Sequence, residues 1–391
     1  MSTATVAEIA KVIRGVSYDK ADVTDTPRPD FLPILRAGNI GDNLNTSDDL
    51  VWVPAKNVST EQRIQIGDIA ICMSSGSAAI VGKTATSEND WIGSVGAFCA
   101  LIRANPNKCL PQYLGHYLKS PRFRKWTSES QGANIKNIRK SGLECFEVPL
   151  PSISEQRRIV DILSRAEGIV RLRREAEKKA AELIPTLFLD MFGDPATNPK
   201  GWRQSTIDES GAAIRYGIGQ PLPQIEGGLP FLRATNVKRG VISRTGLVFI
   251  DPNANPMKRN PPLKHTDILV VRSGAYTGDI AQVGREFDGA IAGYDLVLSP
   301  GSGHLSEFLA TYLLLPHVQN GYMAAHKIRA AQPHLNSTQL GNIIVPIPPL
   351  NIQSKFVESV NSVRSIQSQQ SAATAKAQAT FDALLAQVFQ G

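Results

Sequence analysis

The segment LPILRAGNI at residues 32–40 returns as LPFLRATNV at 229–237, and VPLPSISEQ at 148–156 returns as VPIPPLNIQ at 345–353. Both copies lie 197 positions after their originals. Between these anchors GDIAICMSSG (67–76) matches TDILVVRSG (266–274), AIVG (79–82) matches AQVG (281–284), Gly96 matches Gly293, and YLGHYLKSP (113–121) matches FLATYLLLP (308–316). Six matches in the same order are the mark of a duplicated unit, in which loops have changed length while the framework has not. A chain of 391 residues is therefore expected to hold one architecture twice, not two or three unrelated domains.

Each unit has the same coarse plan. Short β-branched runs separated by Gly, Pro, Asn and Asp predict strands and turns, as at 68–73 and 267–271. A short helix is expected near 111–119 and 306–315, followed by a proline-punctuated strand at 148–151 and 345–349. A long helix closes each unit. The first is expected from Ser154, read as N-cap, to Phe192, where Gly193-Asp194-Pro195 ends it. Its apolar stripe is read as Ile159, Ile162, Ala166, Ile169, Ala176, Ala180, Leu183 and Leu187, broken by Arg173. The second, over 353–391, carries Phe356, Val363, Ile366, Ala373, Ala377, Leu384 and Val388, broken by Gln370. At ~1.5 Å rise per residue such helices span about 57 Å, longer than a small domain, and two matching stripes suggest that they pack on each other. Pro185 threatens a kink or an early end in the first.

Composition narrows the class of partner. The net charge is +7, from 42 Lys/Arg against 35 Asp/Glu, and it is uneven. Nine basic residues face one acid between 103 and 140, and seven face Asp251 alone between 227 and 266. Patches of this kind suit a polyanion, or are simply a solvated face. The four cysteines (72, 99, 109, 145) form no CxxC pair, so a zinc site is not expected and free thiols of a reducing compartment are. No apolar run reaches the ~20 residues of a spanning helix and no signal peptide is legible, which gives the cytoplasm as the expected location.

The catalytic motifs fail on inspection. SAAIVGKT (77–84) nearly spells a phosphate-binding loop, but Ser77 stands where the first glycine belongs. NPPL (260–263) resembles the base-stacking motif of adenine methyltransferases, but Leu263 replaces the aromatic. Glu177-Lys178-Lys179 sits in a charged helix face, and the six histidines occupy no recognised context. With neither catalytic constellation nor metal spacing, a binding or scaffolding role is favoured.

Taken together, LPSISEQRRIVDIL (150–163), LIPTLFLDMFGDPATNPKGW (183–202), PILRAGNI with its copy PFLRATNV, and GDIAICMSSG with its copy resemble the specificity (S) subunit of type I restriction-modification enzymes. The resemblance spans the chain. The second unit keeps Gln353 but has Asn351-Ile352 where the first has Ser-Glu. The resemblance implies an α+β fold of two strand-rich target recognition domains, at 1–152 and 194–350. Each is followed by a spacer helix, at 153–193 and 351–391, and the two helices pack as an antiparallel coiled coil. It implies a non-catalytic subunit that reads a bipartite double-stranded DNA target in host defence against phage. Partners would be two modification subunits, which methylate adenine, and restriction subunits. S-adenosylmethionine, ATP and Mg are expected on those partners and no cofactor here.

Base reading needs Arg, Lys, Asn, Gln or Ser at loop tips. The candidates in the first unit are Arg36, Asn39, Ser74, Ser75, Lys83, Lys136 and Arg139; in the second they are Arg233, Asn236, Arg272, Ser273, Tyr276, Lys327 and Arg329. Residues common to both units should maintain the fold, so Arg36 and Arg233 are equally readable as structural ion pairs. Met73 against Arg272 is the more telling difference. Two other readings stay open: a nucleotide-binding enzyme using the near-loop at 76–84, and a coiled-coil adaptor without DNA binding.

Overall fold

A computed structural model describes residues 2–77, 79–129, 137–254, 260–327 and 334–389. The chain divides into two compact units. Unit 1 comprises residues 1–175 and 372–391, and unit 2 comprises 176–371.

Unit 1 begins with β1 (Thr3–Thr5), the short turn of helix α1 (Val6–Ile9), β2 (Ala10–Arg14), β3 (Phe31–Leu35) and β4 (Val51–Pro54). It continues with β5 (Ile69–Cys72), β6 (Thr84–Thr86), β7 (Ser94–Val95) and β8 (Cys99–Ala104). Helices α2 (Pro111–Tyr117), α3 (Pro121–Glu129) and α4 (Lys140–Glu144) lead to β9 (Glu147–Pro149) and the long helix α5 (Ile153–Ala181), which is followed by α6 (Leu183–Phe192). Strands β2-β8-β5-β6 make an antiparallel sheet, β4-β3-β7 a second with β3 and β7 parallel, and β1-β9 a two-stranded ribbon.

Unit 2 repeats this plan. Its strands are β10 (Gln204–Thr206), β11 (Ala213–Tyr216), β12 (Gln224–Leu232), β13 (Val237–Lys238), β14 (Val241–Ile242), β15 (Val248–Ile250), β16 (Ile268–Val270), β17 (Ile280–Gln282), β18 (Ile291–Ala292), β19 (Leu296–Ser299) and β20 (Ile344–Pro346). Its helices are α7 (Ser306–Leu313), a π-helical stretch at His317–Met323, α8 (Ala324–Lys327), α9 (Ser337–Gly341) and α10 (Leu350–Phe389). The sheets are β11-β19-β16-β17, β15-β12-β18 and β10-β20, with β13-β14 added as a small hairpin. The duplication read in the letters is thus a duplication of hydrogen-bond topology.

The central strands show why the sequence folds this way. IAIC and ILV are uninterrupted apolar runs because both faces of the strand are covered. Ile69 and Ile71 face Tyr113 and Leu114 in one core cluster, while Ala70 and Cys72 face Leu35 and Val95 in another. Ile268 and Val270 divide from Leu269 and Val271 in the same manner. An aspartate precedes each run and closes its turn: Asp68 accepts from the Gln65 N–H at 2.8 Å, and Asp267 from that of Lys264 at 3.0 Å.

The helices correct two expectations. The cap of α5 is Ser152, whose Oγ accepts from the Glu155 N–H at 3.3 Å, and not Ser154. The break at Glu182 is the early end that Pro185 threatened, since Pro185 has no N–H to offer the carbonyl at 181 and its ring crowds that carbonyl. The apolar stripe is shifted as well. Leu163 and Val170 are buried, whereas Ile169 is 52% exposed. In α10, Thr374 is buried and Ile366 is 51% exposed. The cause is a buried polar anchor at each helix start. Gln156 accepts from the Leu110 N–H (2.8 Å) and donates to the carbonyls of Lys108 (3.2 Å) and Pro151 (3.0 Å). Gln353 accepts from the Leu305 N–H (2.8 Å) and donates to those of Gly303 and Pro348 (both 2.8 Å). Both glutamines are fully buried. Counting by alternate threes and fours from Gln156 gives 159, 163, 166 and 170; from Gln353 it gives 356, 360, 363, 367, 370 and 374. The glutamine fixes which of two adjacent apolar stripes turns inward.

Each unit is closed by helical segments from distant parts of the chain. In unit 1, Ile159, Leu163 and Val170 of α5 share a core with Phe381, Leu385 and Phe389 of α10. The Phe389 ring lies 5.1 Å from that of Tyr117 and 5.6 Å from that of Tyr113. In unit 2, Phe188 and Phe192 of α6 meet Phe308 and Phe356, with ring centroids 5.1–5.9 Å apart.

Candidate nucleic-acid interface

The Arg-x-x-Asn loops after β3 and β12 are fold braces. The Asn39 side chain accepts from the Arg36 N–H (2.8 Å) and donates to the carbonyls of Asn45 (3.2 Å) and Asp48 (2.8 Å). Asn236 accepts from the Arg233 N–H (3.1 Å) and donates to the carbonyls of Ser243 and Thr245 (both 3.1 Å). Both asparagines are buried with both amide hydrogens used, so neither offers an edge to a base, contrary to the expectation for them. Arg36 pairs with Asp49, and Arg233 donates to the Gly246 carbonyl at 2.7 Å. The structural ion pair is observed for Arg36; Arg233 has no ion pair among the described residues and braces its loop by a carbonyl instead.

A different place brings candidates together. The backbone just beyond each central strand is bridged by the segment that precedes α4 or α9: Ser74 by Asn137, and Ser273 by His334. The Ile138 N–H reaches the Met73 carbonyl at 2.8 Å, and the Leu335 N–H reaches that of Arg272 at 2.7 Å. Nearby, paired glycines let two strands approach closely. A Cβ on Gly15 would lie 2.1 Å from the Gly96 carbonyl oxygen, and one on Gly217 1.7 Å from that of Gly293. The framework is therefore the same in both units, and the side chains on it differ.

In unit 2 the Arg272 guanidinium lies between two tyrosine rings, 4.6 Å from the centroid of Tyr216 and 4.5 Å from that of Tyr294. Its Nη2 is 2.8 Å from His334 Nε2, while its Nε is buried with no hydrogen-bond partner among the described residues. Tyr216 and Tyr294 are 41% and 50% exposed. The Tyr216 hydroxyl accepts from the Ser337 N–H and meets its Oγ, both at 3.1 Å. Tyr276, 43% exposed, carries the Lys238 ammonium 3.9 Å above its ring. Beneath lies Asp295, 3% exposed, which accepts from the Arg272 N–H at 3.3 Å; burial pushes its carboxyl up to about 6. In unit 1 the same positions hold buried Met73, Asn137 and, after Gly96, Ala97. Ser74 and Ser75 are half-buried, Arg139 is exposed, and Phe98 is 69% exposed.

The sequence pass missed Tyr216, Tyr294, His334, Asp295 and Lys238. The signal was present for two of them: Tyr216 precedes Gly217 and Tyr294 follows Gly293. Lys136 and Arg329 lie outside the described residues, as does the side chain of Lys327.

Asp295 yields a pH prediction. A carboxyl whose folded pKa is raised binds its proton more tightly in the folded chain. Stability therefore falls as pH rises from about 4 through about 6, and the loss persists above that. Asp295→Asn keeps the acceptor and removes the ionisation. We expect this variant to flatten that part of the pH profile and to raise stability at pH 7 by roughly 1–2 kcal/mol, measured by urea unfolding between pH 4 and 8.

The near phosphate-binding loop is not one. Residues 79–83 form turns that run into strand β6, and Gly82 sits at φ +82° against Thr127. No helix N-terminus follows to receive a phosphate, which removes the nucleotide-binding reading. Leu263 of NPPL is buried in a core. Among the described residues no cluster of His, Cys, Asp and Glu could hold a metal, and no helix is long and apolar enough to cross a membrane.

Comparison with known proteins agrees with this geometry. Residues 1–182 and 226–373 each match the type I restriction modification DNA specificity domain. The chain is 27% identical to the EcoKI specificity subunit of Escherichia coli K12, over 99% of this chain and 88% of that one. It is 28% identical to the StySPI specificity subunit of Salmonella potsdam, over 100% and 88%. Its fold resembles that of the type I S subunit from M. genitalium, with a TM-score of 0.52 at 17% identity over 98% of this chain and 94% of that one. It also resembles a chain from a structure of type I restriction-modification complex assembly, with a TM-score of 0.58 at 20% identity over 98% and 96%. With two specificity domains covering most of its length, the chain belongs to the type I restriction-modification DNA specificity family, as a specificity subunit and not a catalytic one.

Proposed function

We propose that each unit reads one half of a split double-stranded DNA target, and that the two long helices, packed as an antiparallel coiled coil, set the gap between the halves. On this reading the division is 1–152 and 194–350 for recognition, with spacers at 153–193 and 351–391. The chain holds two modification subunits that methylate adenine and is joined by restriction subunits for cleavage. S-adenosylmethionine, ATP and Mg belong to those partners, and the cytoplasm is the place of work.

One observation carries this reading. The same backbone bridge occurs twice, with Met73 and Asn137 on one copy and Arg272 and His334 on the other. A shared framework with unlike side chains is what reading two different half-sites requires. Ser74, Ser75, Arg139, Ser273, Tyr276 and Lys327 surround these positions and stand as the remaining contacts, with Lys136 and Arg329 assigned from sequence.

The test uses the assembled methyltransferase. Arg272→Met should cost about 1–3 kcal/mol of discrimination at one position of the half-site read by unit 2. The other half-site and the gap should be unchanged. A uniform loss across all positions would assign Arg272 to folding instead.

A further inference from the structure

Unit 1 contains a cavity of about 600 Å³ whose lining includes Gly82, Lys83, Thr84, Lys119, Arg124 and Ser128. Its charge is unbalanced. Lys119 is paired with Glu167 at 2.7 Å, and Asp42, at the rim, with Arg174. Lys83 and Arg124 have no ion pair and no side-chain hydrogen bond among the described residues. The hydroxyls differ too. Ser128 and Thr127 give their protons to the carbonyls of Lys125 (2.7 Å) and Arg124 (2.9 Å). The Thr84 hydroxyl, on a residue 5% exposed, has no partner. That hydroxyl has no exposed surface and does not open into the cavity; what the cavity presents is two exposed, unneutralised cations, Lys83 and Arg124, which suit an anion.

Unit 2 lacks this arrangement. Gly278, and not Gly284 as the match of AIVG with AQVG suggests, occupies the place of Gly82: it too has a left-handed backbone, and its N–H donates to the Val271 carbonyl as that of Gly82 does to Cys72. The next residue is Asp279, where unit 1 has Lys83. The buried Gln319 amide fills in by donating to the carbonyls of Gly278 (3.1 Å) and Leu313 (2.8 Å).

We propose that this cavity binds one phosphate group of the DNA backbone, held by Lys83 and Arg124, so that unit 1 has an anchor that unit 2 does not. The inference rests on the DNA-reading function proposed above and deepens it: the residues that earlier spelled a failed nucleotide loop become a sequence-independent phosphodiester clamp. A free phosphate or nucleotide has the same chemistry, so the experiment separates the two sources.

The assembled complex is titrated with its target duplex over a salt series. Lys83→Ala and Arg124→Ala should each reduce the steepness of log K against log[salt] by about 0.9, equally for duplexes altered in either half-site. Unchanged slopes in both cation variants overturn the proposal. In a parallel titration with inorganic phosphate and with ATP, binding that is lost in Lys83→Ala while the duplex slopes stay unchanged assigns the cavity to a free anion and also overturns it. If the unmodified complex shows no salt-dependent duplex binding, the DNA-reading function fails first, and that outcome is distinct from both.

Discussion

Removal of one heptad from each long helix, residues 175–181 and 367–373, is expected to move the preferred gap between half-sites by about three base pairs. Seven residues shorten a helix by about 10.5 Å, and B-DNA rises ~3.4 Å per base pair. The chosen segments respect the packing. Gln367 and its acceptor, the Ala180 carbonyl 2.6 Å away, leave together, and the Arg174–Gln378 contact at 2.9 Å stays. A whole heptad preserves the inward face that Gln156 and Gln353 select. Three base pairs also turn the duplex by about a third of its 10–10.5 base-pair repeat. The best new target should therefore bind less tightly than the original does. The original target should fall to the non-specific level, a loss of about a thousandfold or more. Duplexes whose gap is varied one base pair at a time provide the measurement. An unchanged optimum, or altered half-site bases at an unchanged gap, would remove the helices from the role of spacer.

Gln353→Leu should be the most damaging single substitution in unit 2. It leaves the Leu305 N–H and the carbonyls of Gly303 and Pro348 without partners in a fully buried place. Each orphaned group costs about 1–3 kcal/mol, and partial relaxation brings the expected total to roughly 3–4 kcal/mol. For a unit of this size that corresponds to a drop in Tm of about 10 °C. Hydrogen exchange can follow the units separately: protection should fall in unit 2 and hold in unit 1. Gln156→Leu should give the reverse pattern. Equal protection in both units after either substitution would show that the glutamines are not the anchors described.

The two glutamines also show where sequence reading stopped. The repeat, the short helices, the proline-led strands and the glycine end at Gly193 were all legible, because turn chemistry and apolar periodicity are local. The rotation of the long helices was not. Apolar residues occur at both 162 and 163 and at both 169 and 170, so periodicity admits two stripes. Only contacts from Gln156 to residues 46 and more positions away decide between them. The same limit explains the candidate site. Asn39 and Asn236 have the side chains of base readers, but their partners six to nine residues on turn them into loop braces. Tyr216, Tyr294 and His334 converge on Arg272 from three separate segments, a meeting that sheet topology creates and that no spacing along the chain encodes. Lys83 was singled out from a motif that fails, yet it lines a basic cavity because the turn at Gly82 packs against α3.

Mapping methylated adenines across the genome of a host that expresses this chain with its modification subunits tests the two-unit reading most directly. The expected result is one split motif, two short specified halves at a fixed gap, with Arg272→Met altering only one half. Methylation within a single continuous site, or none attributable to this chain, would contradict it.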